Sequence, residues 1–445
     1  MFESMADKLT TNEALTRSLV SFQGNKKQPF YRWLKYKEAF SSDFVRLILD
    51  RYAPKGGVVF DPFAGSGTAL FASVQEGHVA TGTELLPIGI AVAAARAAAQ
   101  RVKLDKMVEA RRNLASLMVG PGKPLRHLRM TKGAFSESND AAIASYRGAV
   151  SRIRDKDVKC LLHFAGLCVL EESSFTRKDG QYLRWDYRSG KNVDSKFHKG
   201  VIKTFAEAVG SKLDEMIEDI AGRKEGVPMD VAINQESFFS YGLKMPKASV
   251  DLVVTSPPYC NRYDYTRTYA LELLYLDYTD ADVSALRQSL LTATVENRPK
   301  MEALRSLFAE HDEDTRFAEI LETYESVGAL HEVVAILEQA ATDGSLNNPN
   351  IPRMVRNYFF EMAIAISNLS RITKRGAKVV MVNDNVRYFG EEVPVDLILS
   401  AMAERLGFSL EGIWVLPRGK GNSSQQMGAH GRTEIRKCVY IWKRR

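Results

Sequence analysis

Short apolar runs alternate with amphipathic segments along this chain. Phe44, Leu47 and Ile48 recur on one side of 42–52, which predicts a helix ended by Pro54 and Gly56-Gly57. Val58-Val59-Phe60 is wholly apolar, the pattern of a buried strand. It runs into the Gly-rich stretch "DPFAGSGT", then a helix from Ala69 to about Glu76, closed by Gly77. "HVATGTEL" predicts a second strand, and Pro87 suits the first turn of the Ala-rich helix "IGIAVAAARAAAQRV". Strand, Gly turn, helix, strand, helix is the opening of a doubly wound α/β sheet.

The pattern is interrupted twice. Residues 103–229 read as mostly helical with a loop-rich middle, and 266–350 as helical and acidic. Between them "DVAINQESF" predicts a third strand and "SVDLVVTS" a fourth. The sheet resumes with a helix over 352–374, the strand "AKVVMVND", the helix "VDLILSAMAERLGF" and the strand "EGIWVLP". The loop "RGKGNSSQQMGAHGR" leads to a last strand, "EIRKCVYIW". Residues 1–27 read as a polar lead-in. The expected organisation is a cofactor-binding part over 28–102, an insertion over 103–229, central strands over 230–265, an acidic insertion over 266–350 and a closing part over 351–445.

Composition narrows the class. The 445 residues are 45% hydrophobic and 26% charged, ordinary values for a globular protein. The N-terminus is polar and mixed in charge, unlike a signal peptide, and no membrane segment is expected. Cys160, Cys168, Cys260 and Cys438 form no C-x-x-C pair, and the histidines show no ligand spacing, so no metal is assigned. A cytoplasmic location is expected. The net charge of +7 is unevenly spread. Residues 175–203 hold eight Lys/Arg against three Asp, whereas 279–350 hold fourteen acids against five Lys/Arg.

The first Gly turn carries candidate chemistry. Gly65 and Gly67 lack Cβ atoms, so the backbone can approach a ligand at the end of a strand. The third glycine of a dinucleotide fingerprint is replaced by Leu70, which argues against a pyrophosphate and so against NAD. Glu84, at the end of the second strand, can accept hydrogen bonds from both hydroxyls of a ribose. A ribose without a pyrophosphate fits S-adenosylmethionine.

The fourth strand ends in Ser256-Pro257-Pro258-Tyr259. An exocyclic amino nitrogen on cytosine or adenine is a poor nucleophile, because its lone pair is delocalised into the ring. Two acceptors fixed on its hydrogens localise that pair. Ser256 Oγ supplies one and a carbonyl of the Pro257-Pro258 segment the other, since proline fixes φ and holds the carbonyl's aim. Tyr259 can stack on a base taken out of the duplex. Cys260 lacks a Pro-Cys context and reads as structural rather than as a thiolate nucleophile.

"DPFAGSGT" followed by "TSPPY" resembles the exocyclic-amino DNA methyltransferases, which make N4-methylcytosine or N6-methyladenine. "WLKYKEAFSSDFV" is similar to the segment that family places near the methionine end of the cofactor. The resemblance covers about half the chain and leaves both insertions outside it. It implies a Rossmann-like, seven-stranded, mostly parallel methyltransferase sheet with an antiparallel C-terminal hairpin and two largely helical insertions. It places cofactor contacts at Asp61, Pro62, Phe63, Ala64, Gly65, Gly67, Thr68, Glu84 and Leu85, with Glu236 near the adenine, and amine contacts at Ser256, Pro257, Pro258 and Tyr259. "INQES" departs from the family's glycine-aspartate at that strand end. Ser-Pro-Pro-Tyr points to cytosine N4 over adenine N6. The rival readings are an RNA amino-methyltransferase and a non-catalytic DNA-binding subunit of a defence complex.

Double-stranded DNA is the expected partner, with a restriction or phage-defence protein as a second. "SSFTRKDGQYLRWDYRSGKNVDSKFHKG" interleaves cations with aromatics, the composition of a surface that meets a duplex. Arg177, Lys178, Arg184 and Arg188 are its candidate contacts, with Arg262 beyond the Ser-Pro-Pro-Tyr turn. The acidic insertion is expected to face away from DNA. The loop "RGKGNSSQQMGAHGR" is a candidate to close over the base.

Overall fold

A computed structural model describes residues 5, 7–120, 122–179, 182–191, 196–417 and 435–445. The proposed base-closing loop, within 418–432, lies outside the described residues. The central sheet is formed by β1 (Leu9–Thr11), β2 (Val58–Asp61), β3 (Val79–Thr83), β4 (Ala232–Asn234), β5 (Val250–Thr255), β6 (Thr373–Asp384), β7 (Phe408–Val415) and β8 (Lys437–Arg444). Their order is β1-β7-β8-β6-β5-β2-β3-β4. Neighbours run parallel except β8, which is antiparallel to both β7 and β6. The α/β reading with a closing antiparallel hairpin holds. The sheet gains an eighth strand from the supposed lead-in, because Leu9–Thr11 adds to the free edge of β7 by backbone pairing, which needs no apolar pattern.

The flanking helices follow from local signals. Ser41 caps α1 (Ser42–Tyr52) by accepting from Phe44 N. Helix α2 (Thr68–Gln75) starts directly from the Gly turn and is buried along nearly its whole length. Pro87 opens α3 (Pro87–Arg101). Helix α4 (Phe238–Lys244) follows β4, α5 (Ile351–Ile372) precedes β6, and α6 (Val395–Arg405) precedes β7.

The sheet separates two apolar cores; the first insertion joins one of them, and the second insertion contributes to both, Tyr269 to Leu286 on the first side and Leu291 onward on the other. Val158, Leu161, Leu162 and Phe205 of the first insertion pack with Val92, Ala95 and Ala98 of α3. Phe308, Phe317, Ile320, Leu330, Val334 and Leu337 of the second pack with α5. The loop-rich middle of the first insertion contains an antiparallel hairpin, Thr176–Asp179 with Tyr182–Trp185. No helix among the described residues is long and apolar enough to cross a membrane.

Candidate active site

Strands β2 and β5 are parallel neighbours, with Val59 opposite Leu252 and Phe60 opposite Val253. Their carboxyl ends therefore lie side by side, and the Gly turn and the Ser-Pro-Pro-Tyr turn open onto one cleft. Asp61, Pro62, Phe63, Ala64, Gly65, Thr68, Glu84, Leu85 and Glu236 line it, together with Ser256 and Pro258. Gly67 lies beneath the wall, where an added Cβ would stand 3.2 Å from Ile233. Pro257, which is buried, and Tyr259, which is half-buried, are not among the lining residues. The Tyr259 hydroxyl lies 3.1 Å from Ser256 Oγ, so it orients the serine. Lys437 Nζ sits 5.4 Å over the Tyr259 ring and pairs with Asp384 at 3.0 Å.

The Gly turn is held from several sides. Gly65 and Gly67 have φ of 53° and 69°, the left-handed region that favours glycine. Glu84 accepts from Gly65 N at 2.6 Å and from Leu86 N at 2.7 Å. Each carboxylate oxygen keeps lone pairs for a further donor. Burial raises the Glu84 pKa, and the backbone donors oppose that rise. Arg96, buried on α3, donates to Ser66 O at 2.8 Å and lies 4.4 Å over the Phe71 ring. The missing third glycine has a substitute. An added Cβ on Gly89 would stand 2.2 Å from Gly65 O, and one on Gly82 2.4 Å from Asp61 O. The close packing is supplied by the next strand and helix.

Asp61 is 2% exposed and accepts from Thr255 Oγ1 at 2.6 Å and Phe63 N at 3.0 Å. Burial, the largest influence, pushes its pKa up to about 7 from 3.8. Between those values the folded chain binds the proton more tightly than the unfolded chain. Stability from this group is thus greatest below about pH 4 and falls as pH rises to about 7. At about 1.36 kcal/mol per pH unit, the span is worth on the order of 4 kcal/mol. Asp61→Asn keeps both accepted hydrogen bonds. The melting-temperature difference, wild type minus variant, is expected to shrink from pH 4.5 to pH 7.5. A difference independent of pH would refute the burial argument.

Several cleft residues escaped the sequence reading. Glu38 accepts from the hydroxyls of Tyr263 and, at 2.5 Å, Tyr269. Tyr36 stacks on Tyr269 at 5.1 Å, and its ring lies 3.0 Å from the position of a Cβ on Gly65. The segment "WLKYKEAF" thus ties the Gly turn to the chain after Tyr259. Its Tyr-x-Glu pattern in a family-like segment was the available signal. Leu290 and Leu291, from the second insertion, also line the cleft. Their loop is anchored by Thr292, whose N and Oγ1 donate to buried Glu361 at 2.8 and 2.5 Å. That insertion therefore reaches the cleft at one end. Glu236 lines the cleft with one oxygen already accepting from Ser240 at 2.8 Å and paired with Lys244.

The basic hairpin divides by strand alternation. Thr176 and Lys178 face inward with Leu183, while Arg177 and Arg184 sit opposite each other and are exposed. Lys178 as a DNA contact is corrected. Its ammonium is buried, pairs with Glu272 at 2.5 Å and lies 4.2 Å over the Tyr269 ring. Arg184 lies 4.4 Å over Phe197. Arg188 is exposed but bidentate to Asp186 at 2.7 and 2.9 Å. Arg262 is half-buried with φ of 66° and donates to Asn347 Oδ1 at 3.2 Å. No group of three or more metal-ligating side chains occurs among the described residues.

No family model matches the chain. Among curated proteins, it is 42% identical to the type II methyltransferase M.AvaI of Nostoc sp., over 98% of this chain and 91% of that protein. The same figures hold for M.AvaI of Anabaena variabilis. The type II methyltransferase M.BsoBI of Geobacillus stearothermophilus is 36% identical over 97% of this chain and 89% of that protein. The chain belongs to the type II DNA methyltransferases. Similarity over 97–98% of the chain includes both insertions, which the motif resemblance left outside. In this methyltransferase the Gly turn and the Ser-Pro-Pro-Tyr turn are joined in one cleft by the pairing of β2 with β5.

Proposed function

We propose that this methyltransferase moves a methyl group from S-adenosylmethionine to the exocyclic amino group of a flipped base in a specific duplex site, cytosine N4 in preference to adenine N6. The observation that carries the reading is the shared cleft, with the ribose-ready Glu84 on one wall and Ser256 on the other. Bound there, S-adenosylmethionine supplies a methyl carbon activated by positively charged sulfur. The residues present fit it. Glu84 has acceptor capacity for two hydroxyls, Leu85 and Phe238 offer apolar surface to an adenine, and positive charge near Asp61 favours its ionised form. Ser256 Oγ and a carbonyl of the Pro257-Pro258 segment accept from the amine and hold its lone pair outward. Nitrogen–carbon bond formation accompanies carbon–sulfur cleavage, the electron pair stays with sulfur, and the surplus proton leaves nitrogen for solvent or a pocket acceptor. Carbon-5 chemistry has no support. Cys260 is buried, and burial holds its thiol pKa well above the usual range.

The reading is tested by methylating duplex DNA with purified protein and identifying the modified nucleoside by mass spectrometry. N4-methylcytosine is the expected product. N6-methyladenine would overturn the base assignment, and methylation of RNA but not DNA would overturn the substrate class. A restriction endonuclease reading the same site is the expected cellular partner, and the cytoplasm the expected location.

The exposed pair Arg177 and Arg184 supports a duplex-facing role for the hairpin, which packs on 265–268 beside the cleft. Arg177→Glu is expected to weaken duplex binding across sequences and lower the slope of log K against log salt by about 1–2. An unchanged slope in a fluorescence-anisotropy salt series would remove the hairpin from the interface.

A further inference from the structure

The opposite edge of the sheet, where β5 and β6 begin, carries a second cleft. Lys247, Arg316, Arg371, Arg375 and Arg444 line it, and Glu313 is the acid among its lining residues. It continues past Arg405, where Glu319 and Glu322 also line it. Strand β5 is six residues long, so this cleft lies about 20 Å from Ser256 across the sheet. It is therefore separate from the catalytic cleft.

Three of these guanidinium groups are held in fixed positions. Arg316 donates to Asn368 Oδ1 at 2.8 Å and to Glu313 at 3.0 Å. Arg371 donates to Gly242 O at 3.2 Å and Met245 O at 2.5 Å. Arg444 donates to Ser370 O at 2.7 Å and Gly407 O at 2.8 Å. Carbonyls orient a cation without neutralising it, and Glu313 is shared between Arg316 and Arg371. Arg375 and Lys247 are exposed and make no ion pair among the described residues. The crowding is felt. Burial lowers the Arg316 pKa, Glu313 opposes that, and the charge of Arg371 adds a smaller lowering. Burial, and then Arg445 and Arg375, lower the Arg444 pKa.

Unmet hydrogen-bonding capacity lies in the same place. Thr373 is 2% exposed, and its hydroxyl has no partner. Arg316 Nη2 is buried and likewise unpartnered. Buried polar atoms of this kind are normally satisfied. Fixed guanidinium forks, a spare hydroxyl and surplus positive charge match tetrahedral, multiply charged oxyanions.

We propose that this cleft binds a phosphate-bearing anion other than the phosphates of the duplex under methylation. The ligand is a free polyphosphate compound such as a nucleotide, or the backbone of a second DNA segment. The full-length protein is titrated with inorganic pyrophosphate by calorimetry in 150 mM salt, beside Lys247→Glu/Arg375→Glu. These two exposed side chains support no packing, and both lie outside the catalytic cleft. Saturable binding by wild type, weakened about tenfold or more in the variant, is the expected result. Duplex binding by both proteins is then measured against salt. An unchanged slope assigns the cleft to a free polyphosphate. A slope lower by about two assigns it to a DNA backbone. Absence of saturable pyrophosphate binding together with an unchanged slope overturns the proposal.

Discussion

Ser256→Ala is expected to lower the methyl-transfer rate by about 10²–10³-fold while leaving cofactor affinity within about twofold of wild type. Ser256 Oγ faces the cleft from the end of β5, and the Tyr259 hydroxyl 3.1 Å away fixes its direction. In the proposed reaction this oxygen holds one amine hydrogen, an interaction that gains strength as the nitrogen pyramidalises. Its loss therefore falls on the chemical step rather than on binding. Single-turnover methylation of duplex DNA, paired with calorimetric cofactor titration, separates the two. A variant that transfers at the wild-type rate would remove Ser256 from the chemistry. A variant that loses cofactor binding would place it in the donor site instead.

The second large effect is predicted at a residue that touches neither ligand. Gly89→Ala is expected to reduce cofactor affinity about 10²-fold and to destabilise the fold by on the order of 3 kcal/mol. The added methyl would stand 2.2 Å from Gly65 O and 2.8 Å from Glu84 Cγ. Either the Gly turn or α3 must then move by about 1 Å, a displacement large enough to spoil a positioned site. The sign makes the test sharp. Glycine to alanine inside a helix ordinarily stabilises by about 1 kcal/mol. Thermal melts and cofactor titration check both effects, and a variant as stable and as tight-binding as wild type would contradict the packing argument.

Glu38 illustrates why part of the site stayed hidden. The sequence places it 225 residues before Tyr263, and only folding brings that phenol onto its carboxylate. Lys178 is the converse case. Its neighbours in sequence are those of a basic surface strand, yet the hairpin packs with that face inward against Glu272, 94 residues away. Charge counting along a segment cannot distinguish the two faces of a hairpin whose inward side carries an ion pair. The second insertion adds a contact that charge counting does not reveal: Leu290 and Leu291 reach the cleft from a loop anchored on Glu361.

Local order was written plainly in the chain. The helix over Ser42–Tyr52, the strand Val58–Asp61, the left-handed glycines after it and the proline-opened α3 all follow from neighbours within one or two turns of chain. The two chemical turns were legible for the same reason, because each is a contiguous run at the end of an apolar strand. What only the tertiary structure decided is how distant pieces close the site: the pairing of β1 with β7, the grip of Gly82 and Gly89 on the first turn, and the Glu38 bridge to Tyr263 and Tyr269. Such contacts depend on which backbones come within a few ångströms of one another, a distance set by the packing of whole layers and not by the order of residues along the chain.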